Sequence, residues 1–376
     1  MLSPRLWTVN ISTSNQSTVQ TNLGILLGSG SPEPLTLSEL SVYRDQDEQY
    51  YNELPPEESY IFPLNSIGQE SFEKLTRRLS VLRIRRAQFY WDRFNFSHSL
   101  NELHLQEINF GYDSAVAEFL RALSSASNLH ILKLISVRSF YRRPLHFEPP
   151  VKSKIWLRNL RFLLVDDLYF STLERVLSSI VCRSHRLTIL LSNRCQYIDH
   201  SALEPPGVKD TIWESLCGLL IEVPVKELFV AGDRLTPWPS PLQFEKLMEA
   251  TAPGLEALRM NLCDFDTTCC KVLVHRLIPQ NSSEPTPTLA EVRLTRARIP
   301  DQEVFVGMVL SHSSSIQHLI LGAAVRGEEG VGWAPLEEDH PLASTLEKII
   351  PKFQLVDCDV MPSEFEDAPC EWLILT

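Results

Sequence analysis

The apolar spacing Leu-x-x-Leu-x-Leu, or a near version of it, recurs at eight places and constrains the fold of this chain more than any other feature. The copies are Leu79/Leu82/Ile84, Leu100/Leu103/Leu105, Leu129/Leu132/Leu134, Leu160/Leu163/Val165, Val225/Leu228/Val230, Leu255/Leu258/Met260, Leu289/Val292/Leu294 and Ile316/Leu319/Leu321. A ninth, Leu187/Leu190/Ser192, is degenerate. The starts advance by 21, 29, 31, 27, 38, 30, 34 and 27 residues. A recurrence near 30 residues leaves room for one strand and one helix per copy, the pattern of a leucine-rich solenoid. No copy can bury its apolar stripe alone, so the copies must stack.

The unit from Leu100 shows how each copy reads. In LNELHLQEINF the 103/105 alternation has the period of a strand, and SAVAEFLRALSSASN places Val116, Phe119, Leu120 and Leu123 on one helical face. Asp113 and Ser114 stand where a helix N-cap is wanted. The same order recurs downstream in STLERVLSSIVCRSH (with Ser171 or Thr172 as the expected cap), PLQFEKLMEATAPG, TTCCKVLVHRLI and DQEVFVGMVLSHSSS. Parallel strands joined by helices require right-handed crossovers. The expected architecture is therefore an α/β solenoid of irregular leucine-rich repeats, with parallel strands on the concave side and helices on the convex side. Residues 1–70 read as an irregular N-terminal edge, 71–324 as the repeats and 325–376 as a C-terminal cap. Proline-rich insertions near 145, 204, 236 and 283 interrupt the repeats. A doubly wound nucleotide-binding fold also alternates strand and helix, but Gly28-Ser-Gly30 has Glu33 where a third glycine is required.

Composition narrows the class. The 376 residues are 44% hydrophobic and 22% charged, as in a folded globular protein. No stretch approaches the roughly 20 apolar residues that span a bilayer. The start lacks the basic and apolar regions of a signal peptide. A cytoplasmic or nuclear protein with reduced thiols is expected, and the eight cysteines contain no C-x-x-C pair. Four Asn-x-Ser sequons, at Asn10, Asn15, Asn95 and Asn281, carry no weight without a secretory signal.

The net charge of −12 is unevenly spread: residues 77–161 hold fifteen Lys/Arg against six Asp/Glu, a balance of +9. Within a strand, the side chains between the motif leucines point away from the core. These are Arg83 and Arg85, His104 and Gln106, Lys133, Arg259 and Asn261, then Arg293 and Thr295. Six of the nine are basic or able to become so, and Phe89, Tyr90 and Trp91 follow the first strand closely. Arginine and aromatic residues dominate binding hot spots, and arginine suits carboxylate or phosphate. The expected partner is a protein, acidic or phosphorylated; nucleic acid is not expected of an acidic chain without a recognition motif.

Nothing in the sequence points to a cofactor or to catalysis. Cys263, Cys269, Cys270 and His275 match no common zinc spacing, and Cys269, Val272, Leu273 and Leu277 read as an apolar helix face. The histidines are scattered, and G-x-S-x-G, H-E-x-x-H and the phosphate loop are missing. Asp166–Asp167 reads as a loop acid pair.

Several passages resemble the F-box-like leucine-rich proteins expanded in basidiomycete fungi. SPRLWTVNIS resembles the Ser-Pro-x-Leu-Trp-x-x-Ile segment that follows the F-box there, and PLTLSEL matches the "Pro-Leu-x-Leu" strand that comes next. LSVLRI, LNELHL, LHILKL and LEALRM then resemble the family's irregular repeats. The resemblance implies that the repeats select the substrate of a cullin–RING ubiquitin ligase, with catalysis left to other subunits. No F-box is visible in the chain, so a Skp-type adaptor is an expected partner only if that module lies upstream. The alternative is a leucine-rich interaction scaffold unrelated to ubiquitin; an enzyme with a site hidden between repeats is a third class.

Overall fold

The computed structural model describes residues 7–28, 37–45, 54–141, 154–181, 186–199, 212–232, 238–277, 289–326 and 332–359. Cys182, Cys370, Asn281 and the insertions near 145, 204 and 283 lie outside them. So do Leu6 and Pro34, while Trp7 and Leu37 lie within. The chain forms two compact units, Met1–His185 with Arg194–Ile212, and Arg186–Asn193 with Trp213–Thr376.

The first unit contains β1 (Thr8–Thr13), α1 (Gln16–Gly28), β2 (Glu39–Arg44), α2 (Ile67–Thr76), β3 (Val81–Arg85), β4 (Glu102–Gln106), β5 (Asn109–Tyr112), α3 (Asp113–Leu123), β6 (Ile131–Ile135), β7 (Arg138–Phe140), β8 (Phe162–Asp166) and α4 (Phe170–Ser179). Six of these strands run parallel in the order β1-β2-β3-β4-β6-β8, and β5 pairs with β7 apart from them. The second unit contains β9 (Arg186–Leu191), α5 (Trp213–Ile221), β10 (Val225–Ala231), α6 (Pro241–Thr251), β11 (Ala257–Asn261), α7 (Thr267–Leu277), β12 (Glu291–Ile299), α8 (Gln302–Ser311), β13 (His318–Arg326), β14 (Trp333–Pro335), α9 (Pro341–Ile349) and β15 (Lys352–Leu355). Here β9-β10-β11-β12-β13 are parallel, β15 adds in parallel to the first half of β13, and β14 pairs antiparallel with its second half. The class is thus mixed α/β with mostly parallel strands that do not close on themselves.

The leucine spacing acts as a register. Leu40, Leu82, Leu103, Leu132 and Leu163 are Cα partners across β2, β3, β4, β6 and β8, and Val42, Ile84, Leu105, Leu134 and Val165 form the next column. All ten are buried. Complete burial of such side chains stabilises the fold by about 1.5–3 kcal/mol each. The ladder extends into both terminal stretches, where β1 aligns Val9 and Ile11 with Leu40 and Val42, and β15 aligns Phe353 and Leu355 with Leu319 and Leu321. The degenerate copy is shifted by one residue: Ile189 and Leu191, rather than Leu190 and Ser192, face Leu228 and Val230. A bulge between Val225 and Glu227 absorbs the slip.

Two backbone devices repeat with the leucines. At the entries of β3, β4, β6 and β13 one carbonyl accepts two N–H groups from the next strand: Ser38 from Ser80 and Val81, Ser80 from Asn101 and Glu102, Asn101 from His130 and Ile131, and Ala290 from Gln317 and His318. At the exit, two residues past the third apolar position, the chain turns through the left-handed region at Arg86, Glu107, Ser136, Asp167, Leu262 and Arg296. The N–H of the corner residue continues the ladder, from Arg86 to Gln106, Glu107 to Ile135, Ser136 to Asp166 and Leu262 to Thr295. The following residue then turns inward: Ala87, Ile108, Val137, Leu168, Cys263 and Ala297 are buried.

The expected helices form where the apolar periodicity places them, with different caps. Tyr112 rather than Asp113 caps α3, without a side-chain hydrogen bond, and Tyr169 rather than Ser171 or Thr172 caps α4. Asp113 and Thr172 instead meet the hydroxyl of Ser139, which donates to Asp113 Oδ1 at 2.7 Å and lies 2.8 Å from Thr172 Oγ1. Burial raises the Asp113 carboxyl above its usual range. Alongside, Arg138 and Asp199 form a bidentate ion pair, both side chains less than a tenth exposed. α5 and α9 carry no repeat motif, and the spacing did not predict them.

Candidate functional site

Side chains alternate across a strand, so the residues between the motif leucines face away from the core they build. In the first unit the register sets them in three rows: Val81–Glu102–Ile131–Phe162, Ser41–Arg83–His104–Lys133–Leu164 and Tyr43–Arg85–Gln106–Ile135–Asp166. Arg83, His104 and Lys133 are therefore neighbours, as are Arg85 and Gln106. In the second unit the matching row is Phe229–Arg259–Arg293–Ile320, with Asn261 beside Thr295.

These positions are less open than the alternation alone suggests. Arg85, His104, Gln106 and Asn261 are buried, and Arg83, Lys133, Arg259 and Arg293 are half-buried. Neighbouring strands lie only about 4.8 Å apart, so long side chains lie across one another. Arg83, Arg85 and Arg259 are also neutralised within the sheet. Arg83 donates to both oxygens of Glu102, at 2.7 and 3.1 Å. Glu107 takes Arg85 at 2.7 Å on one oxygen and Arg86 on the other. Arg259 pairs with Glu291 at 2.9 Å and lies 4.8 Å from the ring centroid of Phe229.

His104 does not contribute positive charge. Burial, and then the cations Lys133, Arg83 and Arg85, push its pKa down to about 3, so the imidazole is neutral at physiological pH. Lys133 differs from the arginines: it makes no ion pair among the described residues. Around it in register stand Ile131, Ile135, Phe162, Leu164 and, opposite Ile135, Asp166, all half-buried.

The aromatic residues after β3 belong elsewhere. Phe89 and Trp91 are buried in an aromatic core, Phe89 stacking on Phe72 with centroids 4.3 Å apart. Tyr90 stacks on Tyr60 at 4.0 Å. Asp167 holds a corner, accepting from Ser136 at 3.0 Å and from Arg194 at 2.7 Å.

The second unit has a cavity of about 260 Å³, lined by Trp238, Phe244, Met260, Cys263, Asp266 and Arg296 among others. Asp266 is occupied in capping α7, accepting the Cys269 N–H at 2.8 Å. Burial pushes the thiols of Cys263 and Cys270 up to about 12 and that of Cys269 higher still, so none is a thiolate at neutral pH. The side chain of His275 lies outside the described residues. Among the described residues, Asp357, Cys358 and Asp359 alone bring three metal-binding atoms within 4.8 Å of one another, and both carboxylates are exposed.

No helix among the described residues is long and apolar enough to cross a membrane. No protein-family model matches the chain, and no curated protein matches it. What the arrangement offers chemically is two half-buried strand faces on which paired charges alternate with apolar side chains. Sequence reasoning overlooked Ile131, Ile135, Phe162, Leu164, Phe229 and Ile320 because it sorted the outward positions for charge.

Proposed function

We propose that this chain is a leucine-rich-repeat solenoid that binds another protein on its strand face without itself doing chemistry. Its setting, on the resemblance of the Leu6–Trp7 segment and the repeats, is substrate recognition in a cullin–RING ubiquitin ligase. The observation that carries the binding part is the recurrence of one strand register and one left-handed corner, copy after copy. Repetition of that kind presents rows of outward side chains, the surfaces repeat proteins use for recognition. The ubiquitin part rests on the sequence resemblance alone.

The test is isolation of the tagged protein from its own cells, with identification of what co-purifies. The proposal expects a longer half-life of the co-purifying target when the gene is deleted, and, where an F-box module lies upstream, a Skp-type adaptor and a cullin in the eluate. A partner bound without either subunit, and with unchanged half-life, replaces the ligase setting with a scaffold. Steady conversion of a small molecule by the purified chain overturns the non-catalytic reading.

A further inference from the structure

We infer that the face of the first unit carries a built anchor for a single carboxylate flanked by apolar side chains, with Lys133 at its centre. The inference rests on the proposed binding role and names the chemistry of the partner. Three observations support it.

The first is charge accounting on the face. Glu102 engages both donors that Arg83 turns toward it, and Glu107 holds Arg85 and Arg86 together. Lys133, in register between His104 and Leu164, has no such carboxylate among the described residues. The second is the local charge: His104, held neutral first by burial and then by Lys133, Arg83 and Arg85, adds no charge of its own beside Lys133. With Arg83 and Arg85 balanced by Glu102 and Glu107, the cation that an incoming anion meets there is Lys133. The third is the apolar frame. Ile131 and Ile135 flank Lys133 on its own strand, with Phe162 and Leu164 on the next and Asp166 beyond them opposite Ile135, and all five remain partly open to solvent.

Geometry then sets the ligand. Side chains two apart along a strand repeat at about 6.6 Å, so Ile131, Lys133 and Ile135 form an apolar–cation–apolar line of that spacing. An extended segment of the form apolar–x–acid–x–apolar has the complementary line. A carboxylate fits better than a phosphate. One ammonium matches one negative charge, whereas phosphate recognition relies on clustered arginines with free donors. The arginines nearby are already committed to Glu102 and Glu107.

The experiment is a peptide array read with the full chain. Each nine-residue peptide carries Leu-x-Z-x-Leu in Gly/Ser flanks, with Z as Asp, Glu, Asn, Gln, Lys or phosphoserine. Wild type is expected to favour Asp and Glu over Asn and Gln by about tenfold. Lys133→Met, which keeps the apolar stem, is expected to abolish that preference, and Lys133→Glu to transfer it to Lys. Thermal unfolding of each variant at the wild-type temperature shows that the fold is intact. A preference for Asp and Glu that survives Lys133→Met overturns the inference, as does selection of phosphoserine. Peptide binding that is lost in Leu164→Asp but indifferent to Z overturns the carboxylate anchor and leaves the binding face standing. If no peptide binds and capture of the cellular partner is unaffected by Leu164→Asp, both fail.

Discussion

At His104 a neutral imidazole lies among Arg83, Lys133 and Arg85, with Glu102 completing the charged surroundings. Its folded pKa, about 3, is below the ordinary value of 6.5, so the unfolded chain binds a proton that the native state refuses. Its contribution to stability is complete above pH 6.5 and declines as the pH falls toward 3. Urea unfolding at pH 7.5 and 5.0 is predicted to show wild type losing about 2 kcal/mol more than His104→Gln between the two. Equal losses contradict neutral burial. Arg138 and Asp199 make the complementary case. Asp199→Ala strands a buried guanidinium and is predicted to cost about 3–5 kcal/mol in the same assay, whereas joint replacement of the pair by Met and Leu recovers most of it. Neither environment was legible in the sequence. His104 was readable as an outward strand position, but its burial depends on Arg83 and Lys133 one strand away on either side. Arg138 finds its partner 61 residues later, beyond the reach of any local pattern.

Elements were more legible than the joints between them. Apolar spacing located β3, β4, β6, β8, β10, β11, β12 and β13 because period-2 burial is written directly in the leucines. It missed α5 and α9, which carry no strand motif, and slipped β9 by one residue because Leu190 resembles its neighbours Ile189 and Leu191. The left-handed corners were invisible for a clear reason. Their occupants, Arg86, Glu107, Ser136, Asp167, Leu262 and Arg296, are not the Gly or Asn that usually advertise such a conformation. At the corner after β10 the residue is a glycine, and there close approach requires it. A Cβ on Gly232 would lie 2.6 Å from the Leu262 carbonyl oxygen and 2.8 Å from that of Asn261. Gly232→Ala is therefore predicted to destabilise by about 1–3 kcal/mol through forced backbone displacement, measurable by denaturant unfolding. A neutral result contradicts the tight corner.

For the whole molecule the consequence of repetition is that outward side chains acquire meaning as rows. Reading Arg83, His104 and Lys133 singly suggested an exposed basic surface. In register they form a mixed surface, with arginines clamped by Glu102 and Glu107, a neutral histidine, and a lysine framed by Ile131, Ile135, Phe162 and Leu164. The sequence held every one of these residues, yet only the register says which are neighbours. The claim that follows, that binding occurs on the strand face rather than on the helices, is tested most directly by quantitative affinity capture with three forms of the full chain. They are wild type, the strand-face variant Lys133→Glu/Leu164→Asp, and the helix-side variant Ile67→Asp/Arg121→Glu, whose two positions are exposed. The account predicts that the proteins enriched by wild type fall at least about tenfold with the strand-face variant, as hot-spot loss of 1.4 kcal/mol or more requires, and stay with the helix-side variant. Retention by the strand-face variant together with loss by the helix-side variant would contradict it.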